Sequence, residues 1–289
     1  MRTAFLATVG RGRWWLAALA SFLVRGGVVV LLPAIVALPT PAQVALHLDP
    51  SLTGDSPGDI TPALVELAVR LLVSGALALL VSTTIGVRLE GDLVEAMAEQ
   101  TTEPGSRRLR LPLGRAVLAR LIVHLPTLVV VVVGGLALAG ATYAELLAPS
   151  GAEALPVRVA ARAPLAVTAI VATWLLGEAW GGIAIRRLAA GETLALAVGG
   201  GLVGVLRPSG LATLALTSLA VGVPLVGLWL ASTQAYDRLW PLIVDRADSW
   251  AVTIALALLV ATWASGLGLL GICLAFRAAA WTAEGLRTP

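Results

Sequence analysis

Lysine is absent from this chain: all 20 of its cationic residues are arginines. That absence excludes a P-loop, whose phosphate cradle uses a lysine, and any pyridoxal phosphate or retinal held as a lysine Schiff base. Cys273 is the only cysteine, so there is no intrachain disulfide and no cysteine cluster for a metal. His47 and His124 stand alone, outside any HExxH pattern. Charge is scarce as well. Only 13% of residues are charged, against about 25% in soluble domains, so the chain does not read as a water-soluble globule. What fills the space is apolar: 58% of residues are hydrophobic, mean hydropathy is +0.92, and they fall in long runs. Abundant Ala, Gly, Leu, Val and Arg without Lys points to a bacterial genome of high GC content.

Six runs are long enough to cross a hydrocarbon layer of about 30 Å at about 1.5 Å per residue. They lie near 14–38, 61–87, 116–139, 164–185, 209–231 and 250–276. The expected fold is therefore all-α, one polytopic membrane bundle over 1–289 with six transmembrane helices and short interfacial helices. The run TLALAVGGGLVGVL at 193–206 is too short to span and suits an interfacial or shallow re-entrant segment. The first run continues past RGG to Leu38, which a cleaved signal peptide does not need.

Arginines set the expected orientation. They flank one set of run ends: Arg2, Arg11 and Arg13; Arg88, Arg107, Arg108, Arg110 and Arg115; Arg186, Arg187 and Arg207; Arg277 and Arg287. The alternate loop 39–60 has none, and the other two alternate loops carry two each beside acids. By the positive-inside rule both termini are cytoplasmic and the protein sits in the inner membrane. This placement also accounts for the net charge of +3 without nucleic acid. The expected partners are the bilayer and its anionic headgroups, with a further membrane protein as an option. The stretch SRRLRLPLGR, with Arg107, Arg108, Arg110 and Arg115 among leucines, is the candidate anionic-lipid surface.

The odd runs are each preceded by an arginine (Arg13, Arg115, Arg207) and the even runs each followed by one (Arg88, Arg186, Arg277). That layout suggests three repeated hairpins. RLEGDLVEAMAEQ and RAAAWTAEGL, after two of the even runs, are expected to lie along the interface. Hairpin order, with exits such as GGIAIRRLAAGE at 181–192, resembles the membrane domain found with glycerophosphodiester phosphodiesterases and related bacterial multi-helix proteins. The resemblance implies a helical membrane fold; it carries no functional residue, and no phosphodiesterase domain accompanies it here.

Charges inside the runs are the candidate site. An arginine at mid-helix costs about 2.5–3.5 kcal/mol on insertion, and each Leu, Ile or Val returns only about 0.3–0.6. Arg25 must therefore turn toward the bundle interior, a water pocket or a carboxylate. Counted from the flanking arginines at about 1.5 Å per residue, Arg25 lies about 16–18 Å deep, Glu178 about 12 Å and His124 about 13 Å. These depths predict a shared polar layer of Arg25, Glu178 and His124. Arg120 is close enough to the inner face to snorkel, and Glu66 with Arg70 forms a one-turn pair near the outer face. Gly177 and Gly181 beside Glu178 form a small-residue face for close helix approach.

Other motifs fail on context. GGGLVG matches G-x-G-x-x-G formally, but no acid follows until Asp237, so no nucleotide site is expected. Ser265 in WASGLG and Asp92 in LEGD each miss the glycine pattern of an intramembrane protease. No catalytic set, cofactor or metal is expected. The function that fits is a non-catalytic accessory or scaffold component of a bacterial membrane system. The alternative is a small transporter or permease subunit working through Arg25, Glu178 and His124.

Overall fold

The computed structural model describes residues 8, 11–31, 61–101, 111–148, 150–151, 155–244 and 249–285. Among them every regular element is helical. Helix α1, Gly12–Phe22, runs into a kinked segment at Leu23–Gly27 and a single turn α2, Val28–Leu31. Then come α3 (Pro62–Thr101), α4 (Leu113–Leu147), the short α5 (Leu155–Arg162) and α6 (Pro164–Ala189). The chain ends with α7 (Leu194–Leu206), α8 (Pro208–Val244) and α9 (Ser249–Gly285). Helix is the form these runs must take in lipid, because it satisfies backbone N–H and C=O groups within the segment.

Proline marks several starts: Pro62, Pro164 and Pro208 each open a long helix, where a missing N–H costs nothing. Gly191 ends the α6 region. Its φ of +98° is left-handed, and the Gly191 and Glu192 amides donate to the carbonyls of Leu188 and Arg187, turning the chain into α7.

Five helices are long and apolar enough to cross a membrane: Val65–Met97, Leu113–Leu147, Pro164–Ala189, Pro208–Ala235 and Trp250–Gly285. Multiple apolar helices of this length make the chain a multi-pass membrane protein. The first expected run, 14–38, is not a sixth among the described residues. Its described part breaks at Arg25–Gly26, and residues 32–38 lie outside the described set. The 193–206 run is one helix of 13 residues, about 20 Å long and so too short to cross.

The spans also run on further than the hydropathy edges. RLEGDLVEAMAEQ is not a separate interfacial piece but the last turns of α3, and RAAAWTAEG, residues 277–285, is the end of α9. On α3, Val87, Glu90, Leu93, Val94 and Met97 repeat at helical spacing and are buried, so packing carries the helix past the apolar run.

Burial is uneven along the bundle. Residues 72–81 of α3 are exposed at every position, as are most of Leu128–Val133 on α4, and these surfaces meet lipid. The dry core gathers at the arginine-rich ends. There Trp14, Ala18 and Phe22 of α1 pack with Leu93, Met97, Leu270 and Leu274. Val87, Ala116, Ala119, Ile185, Leu188 and Ala197 join α3, α4, α6 and α7. A third cluster sets Ala179 and Ile183 against Val205 and Trp281. Neighbours pair as α4 with α6, α8 with α9, and α1 with α3 and α9, while α7 lies on α6. Trp180 fixes that last contact by donating its indole N–H to the Val198 carbonyl at 2.7 Å.

A buried ionic cluster as the candidate functional site

The cluster begins with a fault in a helix. At Arg25 (φ −82°, ψ 18°) and Gly26 (φ 106°, ψ −1°) the chain leaves helical geometry, and a φ of +106° suits glycine and few others. The fault swings the Arg25 side chain into the bundle. Its Nε donates to the Ser21 carbonyl at 3.2 Å, and the Ser21 hydroxyl donates to the Gly86 carbonyl on α3 at 3.1 Å. Gly86 leaves the room: a Cβ there would stand 2.5 Å from Arg25 Cγ.

Two carboxylates organise what Arg25 meets. Glu178 on α6 accepts from Arg25 Nη1 at 3.1 Å through Oε2. Its Oε1 lies 3.3 Å from His124 Nε2 and 3.6 Å from Arg120 Nη1, and Arg277 Nη2 on α9 approaches Oε2 at 3.9 Å. Glu90 on α3 accepts from Arg120 Nη2 at 2.5 Å and from Arg186 Nη1 at 3.1 Å, with Arg25 Nη1 3.6 Å away. Arg120 also donates to the Glu178 main-chain carbonyl at 3.3 Å. His124 Nδ1 sits 2.9 Å from the Arg120 carbonyl, which can only accept, so Nδ1 carries a proton.

Four arginines thus surround two glutamates, an excess of two positive charges before His124 is counted. The groups are well sealed: Arg186 is 1% exposed, Arg120 3% and Arg277 8%. Taking an ion out of water costs several kcal/mol even after relaxation, so each must be compensated here by its neighbours. Arg186 is well compensated, with four of its five N–H groups paired. Its Nε donates to Thr282, Nη1 to Glu90 and the Gly182 carbonyl, and Nη2 to the Ala278 carbonyl. Arg277 is not; its Nη2 has no hydrogen-bond acceptor, and neither do Arg120 Nε and the Trp281 indole N–H.

Depth follows from helix lengths. Glu90, Arg120 and Arg277 each lie about 40 Å along their helices from the arginine-poor ends, and only about 10–17 Å from the arginine-rich ends. Two cavities adjoin the cluster. The smaller, about 50 Å³, is walled by Ser21, Arg25, Glu90, Arg120, Glu178, Arg186, Arg277 and Trp281 among others. The larger, about 190 Å³, shares Arg25, Arg120 and Glu178, and adds His124, Ser82, Thr83, Thr127 and apolar walls from Leu79, Leu121, Leu128 and Trp174.

The structure brings Arg25, Glu178 and His124 together, as the depth count predicts. Arg120 does not snorkel; Glu90 draws it into the core instead. The glycine face of α6 receives side chains as well as a helix: a Cβ on Gly181 would lie 2.5 Å from Arg120 Nη1, and one on Gly177 3.3 Å from His124. Glu66 and Arg70 pair on the surface of α3. Arg115 is exposed, while Arg107, Arg108 and Arg110 lie outside the described residues. Ser265 is exposed and donates to the Ala261 carbonyl of its own helix.

Sequence reasoning missed Glu90, Arg186 and Arg277, which sit beyond the hydropathy edges and read as flanking charges. One signal was present: Glu90 occupies the same helical face as Val87, Val94 and Met97. A second buried acid, Glu145, also went unread. It accepts from Arg158 Nε at 3.0 Å, Arg162 Nη1 at 2.8 Å, and both the amide and hydroxyl of Ser150. That set clamps the α4–α5–α6 connection at the other end. Compared with models of protein families, with curated proteins and with solved structures, the chain finds no significant match.

Proposed function

We propose that this protein is a permease-class component of a bacterial membrane that admits a small polar solute to the Arg25–Glu178–His124 layer. The observation that carries this reading is the larger cavity, about 190 Å³, whose walls combine that layer with threonine and serine hydroxyls. A cavity large enough for several waters beside buried charge is what an intramembrane solute site requires, and such charges mark solute pathways more often than they add stability. In this reading Arg25 supplies fixed positive charge, Glu178 holds it in place, and His124 relays between carboxylate and cavity. No bond is made or broken.

The accessory-component reading is the second one. It is favoured by Arg186, four of whose five N–H groups are paired, as in a permanent clamp between α3, α6 and α9. Flux separates the two. Proteoliposomes are challenged osmotically with glycerol, glycine, acetate and phosphate, and volume recovery is followed by light scattering. The expected result is faster recovery than in empty vesicles for at least one solute, lost in Thr83→Trp, which fills the cavity. Recovery equal to that of empty vesicles for every solute leaves the accessory reading.

A further inference from the structure

We infer that the smaller cavity binds a phosphate-class oxyanion, held by Arg277, Trp281 and Arg120. The inference deepens the solute-site reading by naming a ligand class for the same cluster, and it rests on that reading for the ligand's purpose.

Charge is the first argument. Four arginines and two glutamates leave two positive charges uncompensated in a largely buried cluster, and repulsion among cations is strongest where screening is weakest. Water filling the cavity would give hydrogen bonds without neutralising anything. An anion does both.

Donor geometry is the second. Arg186 has little capacity left, because four of its five N–H groups already donate to Thr282, Glu90, Gly182 and Ala278. The vacant donors are Arg277 Nη2, Arg120 Nε and the Trp281 indole N–H, all without an acceptor and all on residues that wall this one cavity. Arg277 is 8% exposed, Arg120 3% and Trp281 2%, so solvent does not satisfy them. Buried donors are almost always paired, and three orphans on residues gathered around one void point to a missing acceptor. They come from α4 and from two positions one turn apart on α9. A tetrahedral oxyanion offers acceptors in several directions, and arginine suits its geometry; a halide has no directional oxygens and a carboxylate only two in a plane.

Size is the third. About 50 Å³ holds roughly three to five waters, enough for a phosphate group and too little for a nucleotide or a whole headgroup. The group therefore comes either as free phosphate or as the phosphate of a lipid. In the lipid case the remainder would lie in the adjoining cavity, which shares Arg25, Arg120 and Glu178 and has leucine walls.

The test is binding of two probes to the detergent-purified full chain by titration calorimetry: inorganic phosphate, and dihexanoyl phosphatidylglycerol. Trp281→Phe keeps the ring and removes one donor; Arg277→Gln removes one charge. The expected result is saturable binding of at least one probe, weakened about tenfold by Trp281→Phe and more by Arg277→Gln. Saturation by phosphate alone assigns free phosphate, and saturation by the lipid alone assigns a headgroup. The proposal is overturned by the absence of saturable binding of either probe, or by Trp281→Phe binding as wild type does. Trp281→Phe is the milder change, aromatic for aromatic, and its melting temperature is measured beside its binding, so misfolding of Arg277→Gln does not remove the test. Binding without solute flux in proteoliposomes would retire the permease reading and keep the oxyanion site; flux without binding would do the reverse.

Discussion

Glu90 shows what a single atom pair can hold. Each of its oxygens accepts from a different buried arginine, Arg186 at 3.1 Å and Arg120 at 2.5 Å, on two different helices. Removing its charge strands both. Glu90→Gln should cost about 3–5 kcal/mol, the range found when one member of a buried pair is deleted. The control is Glu66→Gln, which breaks the exposed pair with Arg70 and should cost at most about 1 kcal/mol. Thermal unfolding in detergent checks both, and comparable losses would show that Glu90 is not the buried anchor the geometry makes it. Glu178 differs, since three of its four cationic neighbours stand beyond 3.2 Å. It holds the layer in a looser grip.

At the scale of elements, the sequence revealed kind better than extent. The helices around Leu125–Val133 or Leu211–Leu230 were plain because lipid contact and helical backbone both follow from an unbroken apolar run. Their ends were not, because beyond the hydrocarbon layer α3 and α9 are held by packing at Val94, Met97 and Trp281, which hydropathy does not record. The same limit hid half the site. Arg25, Glu178 and His124 were legible as charges within apolar runs, whereas Glu90 and Arg277 looked like ordinary flanks, and only the packing of α3 against α1 and α9 turns them inward. Nor could periodicity reveal the kink; RGG signals weakness, but the left-handed Gly26 goes with an Arg25 side chain turned into the bundle. Glycine on α3 supplies a test. Gly86→Ala places a Cβ against Arg25 and should cost about 1–3 kcal/mol, as overpacking does. Gly75→Ala on the same helix meets open space and should be neutral or slightly stabilising. Equal effects on the melting temperature would mean that Arg25 does not lie along Gly86.

For the whole molecule the arginine distribution predicts a direction. The end carrying Arg88, Arg115, Arg186 and Arg277 should face the cytoplasm. A fluorescent protein fused after Pro289 should then glow in a bacterial host, and alkaline phosphatase at the same place should be inactive. Phosphatase inserted near Gly151, beside the Glu145 clamp, should be active. The reverse pattern would invert the bundle and expose the ionic cluster to the periplasmic side.

Sharing two acids among cations from α4, α6, α9 and the turn after α1 has a mechanical consequence. Arg25 and Arg120 each reach acids on both α3 and α6, so neither α4 nor the turn after α1 can peel away at that end without orphaning charges on two other helices. Any breathing the protein does is pushed toward the opposite rim, where helices such as α3 stand apart in oil. The molecule is riveted by shared charge at one end, while at the other the smaller Glu145 clamp ties α4 to α5.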